Sequence, residues 1–327
     1  METIRIPGID EPASRVGLGT WAIGGWMWGG ADDDASVETI RRAYDRGITV
    51  FDTAPVYGFG HSEEVVGRAV APFRDDVLIA TKCGLGWGDD EQPFRDSRPD
   101  SIRREVDASL RRLGTDRIDL YQVHWPDPRV PFAETGAVLE EIRRTGKVRA
   151  IGVSNFAPAE MDALATAAPL ATDQPPYNLF ERGIDDDVLP YAEDNGLVLL
   201  AYGALCRGLL SGRMRPDTTF QGDDLRVYDP KFQPPRYDRY LAAVDALSEI
   251  AAGRGKSVLA LAVRWVLDRG PTIALWGART PAQLDAVGEV FGWELTAGDM
   301  AAIDDALART ITDPVGPEFM APPARDA

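Results

Sequence analysis

The stretch ITVFDTAPVYGFGHSEEVVGRA, residues 48 to 69, contains one complete structural unit. It opens with a run of β-branched and apolar residues that ends at Asp52, which is typical of a buried strand. A glycine-containing loop with Tyr57 follows, and a helix is predicted to start near His61, which we interpret as a solvated loop residue. The acid and the phenol both need partners, because polar groups beside apolar residues are costly without them.

The same unit recurs along the chain. Apolar runs alternate with amphipathic helical segments, such as SVETIRRAYDRG at 36 to 47. Alternation of buried strands with helices indicates a parallel sheet, and eight repeats in 327 residues favour a closed (β/α)8 TIM barrel. The eight predicted strands are VGLGTWAI (16 to 23), ITVFDTA (48 to 54), VLIATKC (77 to 83), IDLYQVHW (118 to 125), VRAIGVS (148 to 154), LATDQ (170 to 174), LVLLAYG (197 to 203) and TIALWG (272 to 277).

An open, doubly wound sheet is the alternative fold. It would show a glycine-rich turn and a helix directly after the first strand, but GLGTWAIGG (17 to 25) is not followed immediately by a predicted helix. We therefore expect a single barrel domain over 1–327, with a long insert at 204 to 257 after strand seven and a helix near 297 to 309. Asp100 is the predicted N-cap of the helix in PDSIRREVDASLRRLG, which ends before Gly114.

The composition limits the function classes. The chain carries 52 acids and 35 bases, a net charge of −17 spread along its length, which disfavours nucleic-acid and anionic-membrane partners. It has no apolar run of about 18 residues, and its N-terminus lacks a signal-peptide layout, so we expect a cytoplasmic protein. Two cysteines and two histidines predict neither a disulfide framework nor a metal site.

Four ionisable side chains are predicted to meet at the mouth of the barrel, where strand ends converge. Asp52, Lys82 and His124 end strands two, three and four, and Tyr57 follows strand two. The Lys82 ammonium would lower the pKa of the Tyr57 phenol, and Asp52 would keep Lys82 charged. This arrangement suggests proton transfer to a carbonyl oxygen, with His124 donating to the same oxygen or sharing the proton.

The other strand ends suggest a nicotinamide dinucleotide phosphate. Ser154, Asn155 and Gln174 suit a carboxamide, and Tyr202 offers a flat ring for stacking. Backbone N–H groups in GALCRGLLSGR (203 to 213) can approach a pyrophosphate. After strand eight, GART (277 to 280) opens a predicted helix, so Arg279 would stand at an N-terminus that favours phosphate.

These blocks resemble the aldo-keto reductase family over essentially the whole chain. The resemblance lies in GITVFDTAPVYGFGHSEEVVGRA, IATKCG, IDLYQVHWPDP and GKVRAIGVSNF, in that order and spacing. TWAIGGWMWGG, QPPYNLFER, YGALCRGLLSG and DPVGPEFMAPP are similar to a bacterial general-stress branch related to Bacillus NADP-dependent enzymes. The resemblance implies a barrel that binds NADP(H), a role in stress response, and hydride transfer to small aldehydes or ketones.

The resemblance also implies residue roles. The catalytic tetrad would be Asp52, Tyr57, Lys82 and His124, with Tyr57 as proton donor. Many members of the family carry a Glu-Asn pair for adenine where this chain has Ala286 and Val287, so NADP preference would rest mainly on Arg279. The implied cofactor contacts are Thr20, Trp21, Asp52, Ser154, Asn155, Gln174, Tyr202, Gly203, Ala204, Leu205, Cys206, Arg207, Gly208, Arg213, Arg226, Gly277, Ala278, Arg279 and Gln283.

Three alternatives stay open at this point. The chain could be a cofactor-binding regulatory module similar to potassium-channel β subunits, although the complete tetrad argues against a purely binding role. A barrel enzyme for phosphorylated sugars would need its phosphate site in the region assigned to the cofactor. Cys83 and Cys206 could form a redox pair rather than serve as small buried or loop residues.

The tryptophans Trp26, Trp28, Trp87 and Trp125 predict an aromatic-lined pocket for apolar carbonyls.

Overall fold

A computed structural model describes residues 1–325, so the last two residues of the expected 1–327 domain lie outside the described part. Eight parallel strands close into a barrel in the order β10-β11-β12-β3-β4-β5-β8-β9. The strands of the chain are β1 (Thr3–Ile4), β2 (Ala13–Ser14), β3 (Val16–Gly19), β4 (Val50–Asp52), β5 (Leu78–Cys83), β6 (Leu85–Trp87), β7 (Pro93–Arg95), β8 (Ile118–Val123), β9 (Val148–Ser154), β10 (Leu170–Gln174), β11 (Val198–Ala201) and β12 (Thr272–Gly277).

All eight predicted strands are barrel strands, which confirms the (β/α)8 fold and excludes the open sheet. Closure comes from the pairing of the last barrel strand with the first, in the register Gly277↔Gly19. The α-helices are α1 (Trp21–Gly24), α2 (Asp33–Asp45), α3 (His61–Val70), α4 (Pro99–Leu113), α5 (Phe132–Arg144), α6 (Pro158–Ala165), α7 (Val188–Asn195), α8 (Arg236–Gly253), α9 (Val258–Asp268) and α10 (Ala297–Thr310).

Two apolar layers hold the barrel together. The inner layer fills the interior with side chains such as Val50, Leu120 and Leu200, and the N-terminal segment adds Ile6 and Ile9 to this layer. The outer layer packs the helices against the strands. Because side chains fill the interior, the barrel is a packed core. A ligand site is therefore expected among the loops at the strand ends.

The loops at the carboxyl ends of the strands build the mouth. β6 and β7 form an antiparallel hairpin there. The first part of the insert after β11 contains 3₁₀ turns at Cys206–Ser211, Leu225–Val227 and Pro230–Phe232. Helix α8 follows them, as the change from a polar to a helical pattern predicted. The C-terminal tail crosses the same face, where Arg95 donates from its backbone N–H to the Pro323 carbonyl and from Nε to the Pro322 carbonyl.

Two local predictions were wrong. A one-turn helix, α1, directly follows the first barrel strand, although we expected no helix there. The N-cap of α4 is Arg98 and Asp100 lies in its first turn, because Pro99 occupies the first helical position with its fixed φ. The helix predicted after β12 is present as a 3₁₀ helix, Pro281–Val290. Among residues 1–325, no helix is long and apolar enough to cross a membrane.

Candidate active site

A buried ion pair lies at the mouth of the barrel. Asp52 is the last residue of β4, and Lys82 lies on the neighbouring β5. The Lys82 ammonium lies 2.8 Å from both carboxylate oxygens of Asp52 and donates to the Thr53 carbonyl at 3.0 Å. Burial lowers the pKa of Lys82, and the Asp52 charge opposes that change. The arrangement therefore supplies the compensation that a buried ammonium needs.

Tyr57 reaches the ion pair from its loop. Its hydroxyl lies 3.4 Å from Lys82 Nζ, and its ring stacks on Trp21 with 5.8 Å between centroids. The pKa of Tyr57 is raised well above its ordinary value, first by burial and then by the Asp52 charge. The expected net lowering was therefore wrong for the protein alone, because burial of the phenol and the Asp52 charge outweigh the stabilisation that the Lys82 ammonium gives to the phenolate.

His124 completes the group. It follows β8, and its backbone N–H donates to the Cys83 carbonyl at 2.8 Å, which fixes it beside β5. Its ring meets the Tyr57 ring edge to face at 5.8 Å. Burial, and then the Lys82 charge, hold the pKa of His124 well below its usual range. The imidazole is therefore neutral near neutral pH, which favours a hydrogen-bond donor over a group that shares the proton.

Amide and hydroxyl groups form the next layer. The Ser154 hydroxyl donates to the Gln174 carbonyl at 2.7 Å, and the Tyr202 hydroxyl donates to Asn155 Oδ1 at 2.9 Å. Asn155 has a left-handed backbone with φ of 63° and donates from Nδ2 to the His124 carbonyl at 3.1 Å. Such backbone strain often marks functional positions. Gln174 already donates to Asp52 Oδ1 at 2.8 Å, which ties the amide layer to the ion pair.

The outer end of the mouth offers glycines and arginines. Gly203 and Gly208 have φ of 67° and 88°, which leaves the backbone open to a close ligand. The Arg207 side chain is turned inward, onto Glu181 and Asp229 at 2.5 and 2.6 Å. Arg279 is exposed and donates from Nη1 to the Trp28 carbonyl at 2.9 Å, so part of its guanidinium remains open to solvent.

Gln283 stabilises the turn that presents Arg279. Its side-chain oxygen accepts the backbone N–H groups of Arg279 and Thr280 at 2.7 and 3.1 Å, at the start of the 3₁₀ helix. Arg226, also predicted here, pairs with Asp224 through two hydrogen bonds at 2.9 and 2.6 Å. The side chains of Gln283 and Arg226 therefore already make hydrogen bonds within the protein.

A cavity of about 680 Å³ joins these groups. This volume is in the range of cofactor and ligand sites, and the lining contains a flat ring, amides, glycines and arginines, so it fits a nicotinamide dinucleotide. Besides Tyr57 and His124, the predicted residues that line it are Thr20, Trp21, Asp52, Ser154, Asn155, Gln174, Tyr202, Gly203, Leu205, Arg207, Gly208, Arg226, Gly277, Ala278, Arg279 and Gln283.

The structure does not bring every predicted residue to the cavity. Ala204 and Cys206 are buried in the apolar core, and Arg213 is exposed outside the lining. Lys82 does not line the cavity either, because it is fully buried against Asp52. Of the predicted aromatic lining, Trp26, Trp28 and Trp125 line the cavity and Trp87 does not. His61 begins α3, with Nε2 2.8 Å from an Asp33 oxygen.

The two cysteines do not support a redox pair. Both thiols are buried. Burial raises the pKa of Cys206 to about 12 and that of Cys83 well above its ordinary value. Both therefore stay protonated near neutral pH, whereas a reactive cysteine needs thiolate character.

Sequence reasoning missed several lining and supporting residues. Gln122 donates to Asp52 Oδ1 at 3.4 Å, and its position two residues before His124 is a period-two signal that could have found it. Asp223 accepts the backbone N–H groups of Met27 and Gly29 at 2.8 and 3.0 Å, which joins two loops over the cavity. Phe319 and Met320 of the tail line the cavity as well, and no local pattern indicated that.

Comparison with known proteins finds relatives that match most of the chain. Residues 15–308 match the family model described as the aldo/keto reductase family. The chain is 57% identical to aldo-keto reductase YhdN of Bacillus subtilis over 100% of this chain and 99% of that protein. It is 36% identical to the NADH-specific methylglyoxal reductase of Escherichia coli, over 87% and 91% of the two chains.

Two solved structures are similar over nearly their full length. The glycerol dehydrogenase AKR11B4 from Gluconobacter oxydans has a TM-score of 0.90 at 61% identity, over 98% of this chain and 99% of that one. An aldo/keto reductase from Klebsiella pneumoniae in complex with NADP and acetate has a TM-score of 0.71 at 29% identity, over 93% and 94%.

Proposed function

Because this chain belongs to the aldo/keto reductase family, we propose that it is an NADP(H)-dependent oxidoreductase that reduces aldehydes and ketones to alcohols, with Tyr57 as the proton donor. The observation that carries the proposal is the meeting of Tyr57, Asp52 and His124 in the lining of the cavity, with the Lys82 ammonium in contact with Asp52 and Tyr57. These groups come from separate segments, and the barrel places all of them on one face.

In this mechanism a bound nicotinamide supplies the hydride. Ser154, Asn155 and Tyr202 would hold its ring end, and the loop from Gly203 to Gly208 would approach its phosphates. The Tyr57 hydroxyl and the neutral His124 ring donate hydrogen bonds to the substrate carbonyl oxygen, which stabilises negative charge as it develops there.

Tyr57 then gives its proton to that oxygen. A raised phenol pKa still permits the transfer, because an alkoxide is far more basic than a phenolate. The Lys82 ammonium at 3.4 Å stabilises the phenolate that remains, and Asp52 keeps the lysine charged. The rings of Trp21 and His124 flank the phenol on two sides.

We propose NADP(H) rather than NAD(H) as the cofactor because the exposed residue Arg279 lines the cavity and part of its guanidinium is open to a phosphate. The Klebsiella relative with bound NADP supports this preference, and the NADH-specific Escherichia relative makes it a matter for measurement. The regulatory alternative has no observation in its favour, since all four catalytic candidates are present together.

The test is turnover in wild-type protein and in Tyr57→Phe. We expect wild-type protein to bind NADPH, measured by fluorescence, and to oxidise it when 4-nitrobenzaldehyde, glyceraldehyde or methylglyoxal is added. Tyr57→Phe should bind NADPH normally and lose turnover about 10²- to 10⁴-fold, the range for a positioned acid. Tyr191→Phe, which loses only an exposed hydrogen bond to Asp162, is the matched control. Unchanged turnover in Tyr57→Phe would refute the mechanism.

A further inference from the structure

Glu105 is a buried acid that the proposed mechanism does not use. It lies on α4, and its Oε2 accepts the backbone N–H of Gly84 at 2.9 Å. Gly84 directly follows β5, the strand that carries Lys82. The other carboxyl oxygen, Oε1, is buried and has no hydrogen-bond partner among the described residues. Glu105 therefore ties the end of the lysine strand to α4 and leaves one oxygen unused, which is costly for a carboxylate.

Glu105 lies beside the catalytic candidates Lys82 and His124. Glu105 lines a narrow void together with Lys82, Cys83 and His124, and this void is too small to hold a water molecule. Without water between them, a charge on Glu105 would act on Lys82 and His124 with little screening.

The surroundings of Glu105 favour its neutral form. Burial is the main cause that raises its pKa to about 8, and the charges of Asp96 and Glu63 add to the effect. The hydrogen bond from the Gly84 N–H opposes this effect. The remaining titratable neighbours are Cys83, Tyr121 and His124. They are uncharged near neutral pH, because burial raises the pKa of the Cys83 thiol and of the Tyr121 phenol and lowers that of the His124 imidazole.

We propose that Glu105 is a positioning residue: it holds the end of the Lys82 strand in place and, while neutral, keeps a second negative charge out of the void that it shares with Lys82 and His124. The proposal rests on the proposed function of this site. An ionised Glu105 would compete with Asp52 for the Lys82 ammonium and weaken His124 as a hydrogen-bond donor, so reduction should slow as the pH rises through the titration of Glu105.

The experiment is the pH profile of kcat/KM for aldehyde reduction at saturating NADPH, in wild-type protein, Glu105→Gln and Glu105→Ala. Wild-type kcat/KM should fall about fivefold or more between pH 7 and pH 9.5. Glu105→Gln keeps an acceptor for Gly84 but cannot ionise, so it should match wild-type protein within about twofold at pH 7 and lose the alkaline fall. Glu105→Ala should be slower at every pH, with an unchanged Kd for NADPH.

Asp100→Asn is the matched control, because Asp100 lies on the same helix with a side chain 85% exposed, and it should keep the wild-type profile. A flat wild-type profile through pH 8, or an alkaline fall that persists in Glu105→Gln, would overturn the proposal while the reductase function stood. Equal losses at pH 7 in the Gln and Ala variants would also overturn it. If wild-type protein reduced no carbonyl at any pH, the proposed function would fail and this proposal with it.

Discussion

At the residue scale, the Asp52–Lys82 pair shows how catalysis and stability are joined. The two residues are 2% and 0% exposed, so each depends on the other for its charge. Breaking a buried pair by removing one partner leaves an unpaired charge, which is more costly than removing both. The pair is therefore a structural requirement of the barrel as well as a part of the proposed mechanism.

We predict that Lys82→Met lowers the free energy of unfolding by about 3–5 kcal/mol, because Asp52 is left as a buried, uncompensated carboxylate. The double variant Asp52→Asn, Lys82→Met should recover part of that loss and remain inactive. Urea unfolding measures both effects. A double variant as unstable as the sum of the two single variants would show that the pair is not coupled.

We expect cofactor preference to depend on a single side chain, that of Arg279. We predict that Arg279→Ala raises KM for NADPH far more than KM for NADH, because only NADPH carries the additional phosphate that the guanidinium can contact. Arg213→Ala is the comparison, since Arg213 is an exposed arginine outside the cavity lining. Steady-state kinetics with both cofactors decide the matter, and equal effects of Arg279→Ala on the two KM values would remove the phosphate assignment.

At the element scale, the one-turn helix α1 supports the loop that carries Tyr57. A Cβ built on Gly24 of this helix would lie 2.5 Å from the Tyr57 carbonyl oxygen and 2.6 Å from its carbonyl carbon. Contacts this short with backbone atoms force a shift. Glycine is therefore required at position 24 for close packing, and the contact couples the loop after the first barrel strand to the proton donor.

We predict that Gly24→Ala lowers kcat about tenfold or more while NADPH affinity changes little, because the displaced loop moves the Tyr57 phenol away from the carbonyl. Gly253→Ala is the control, since Gly253 ends α8 and a Cβ there would meet nothing within 4 Å. Single-turnover kinetics would isolate the chemical step. A Gly24→Ala enzyme with wild-type kcat would mean that the loop adapts without moving the phenol.

The element scale also shows where local patterns are reliable. All eight barrel strands follow from short apolar runs, because a strand buried on both faces needs apolar residues on both. The wrong N-cap at Asp100 and the unexpected helix α1 lie at element ends, where one proline or one tertiary contact outweighs local preference. Elements were therefore predictable, and their exact ends were not.

At the scale of the whole molecule, barrel closure brings together residues far apart in sequence. Asp52 Oδ1 accepts from Gln174, which is 122 residues away in the chain. The tail is fixed to the mouth in the same manner, through the Arg95 contacts and an Arg325–Asp127 ion pair at 2.6 Å. The cavity is thus a product of the complete fold rather than of any one segment.

The net charge of −17 belongs to the whole molecule too. We predict that the protein is folded in low salt and that its Tm rises by a few degrees as NaCl increases to about 0.5 M, because salt screens the repulsion among surplus acids. Scanning calorimetry measures the change, and KCl should act equally at equal ionic strength. A protein that unfolded without molar salt would instead be adapted to a saline environment.

The barrel, the strand ends with Asp52, Lys82 and His124, and the loop with Tyr57 could all be predicted from the amino-acid sequence. They depend on strand periodicity and spacing, which are local properties of a chain. The protonation states of the site could not be predicted in this way, since the pKa values of Tyr57 and His124 depend on burial and on charges from other segments. They follow from the tertiary structure. It also decided which candidates reach the cavity, because side-chain direction and the paths of the insert and tail are set by long-range packing.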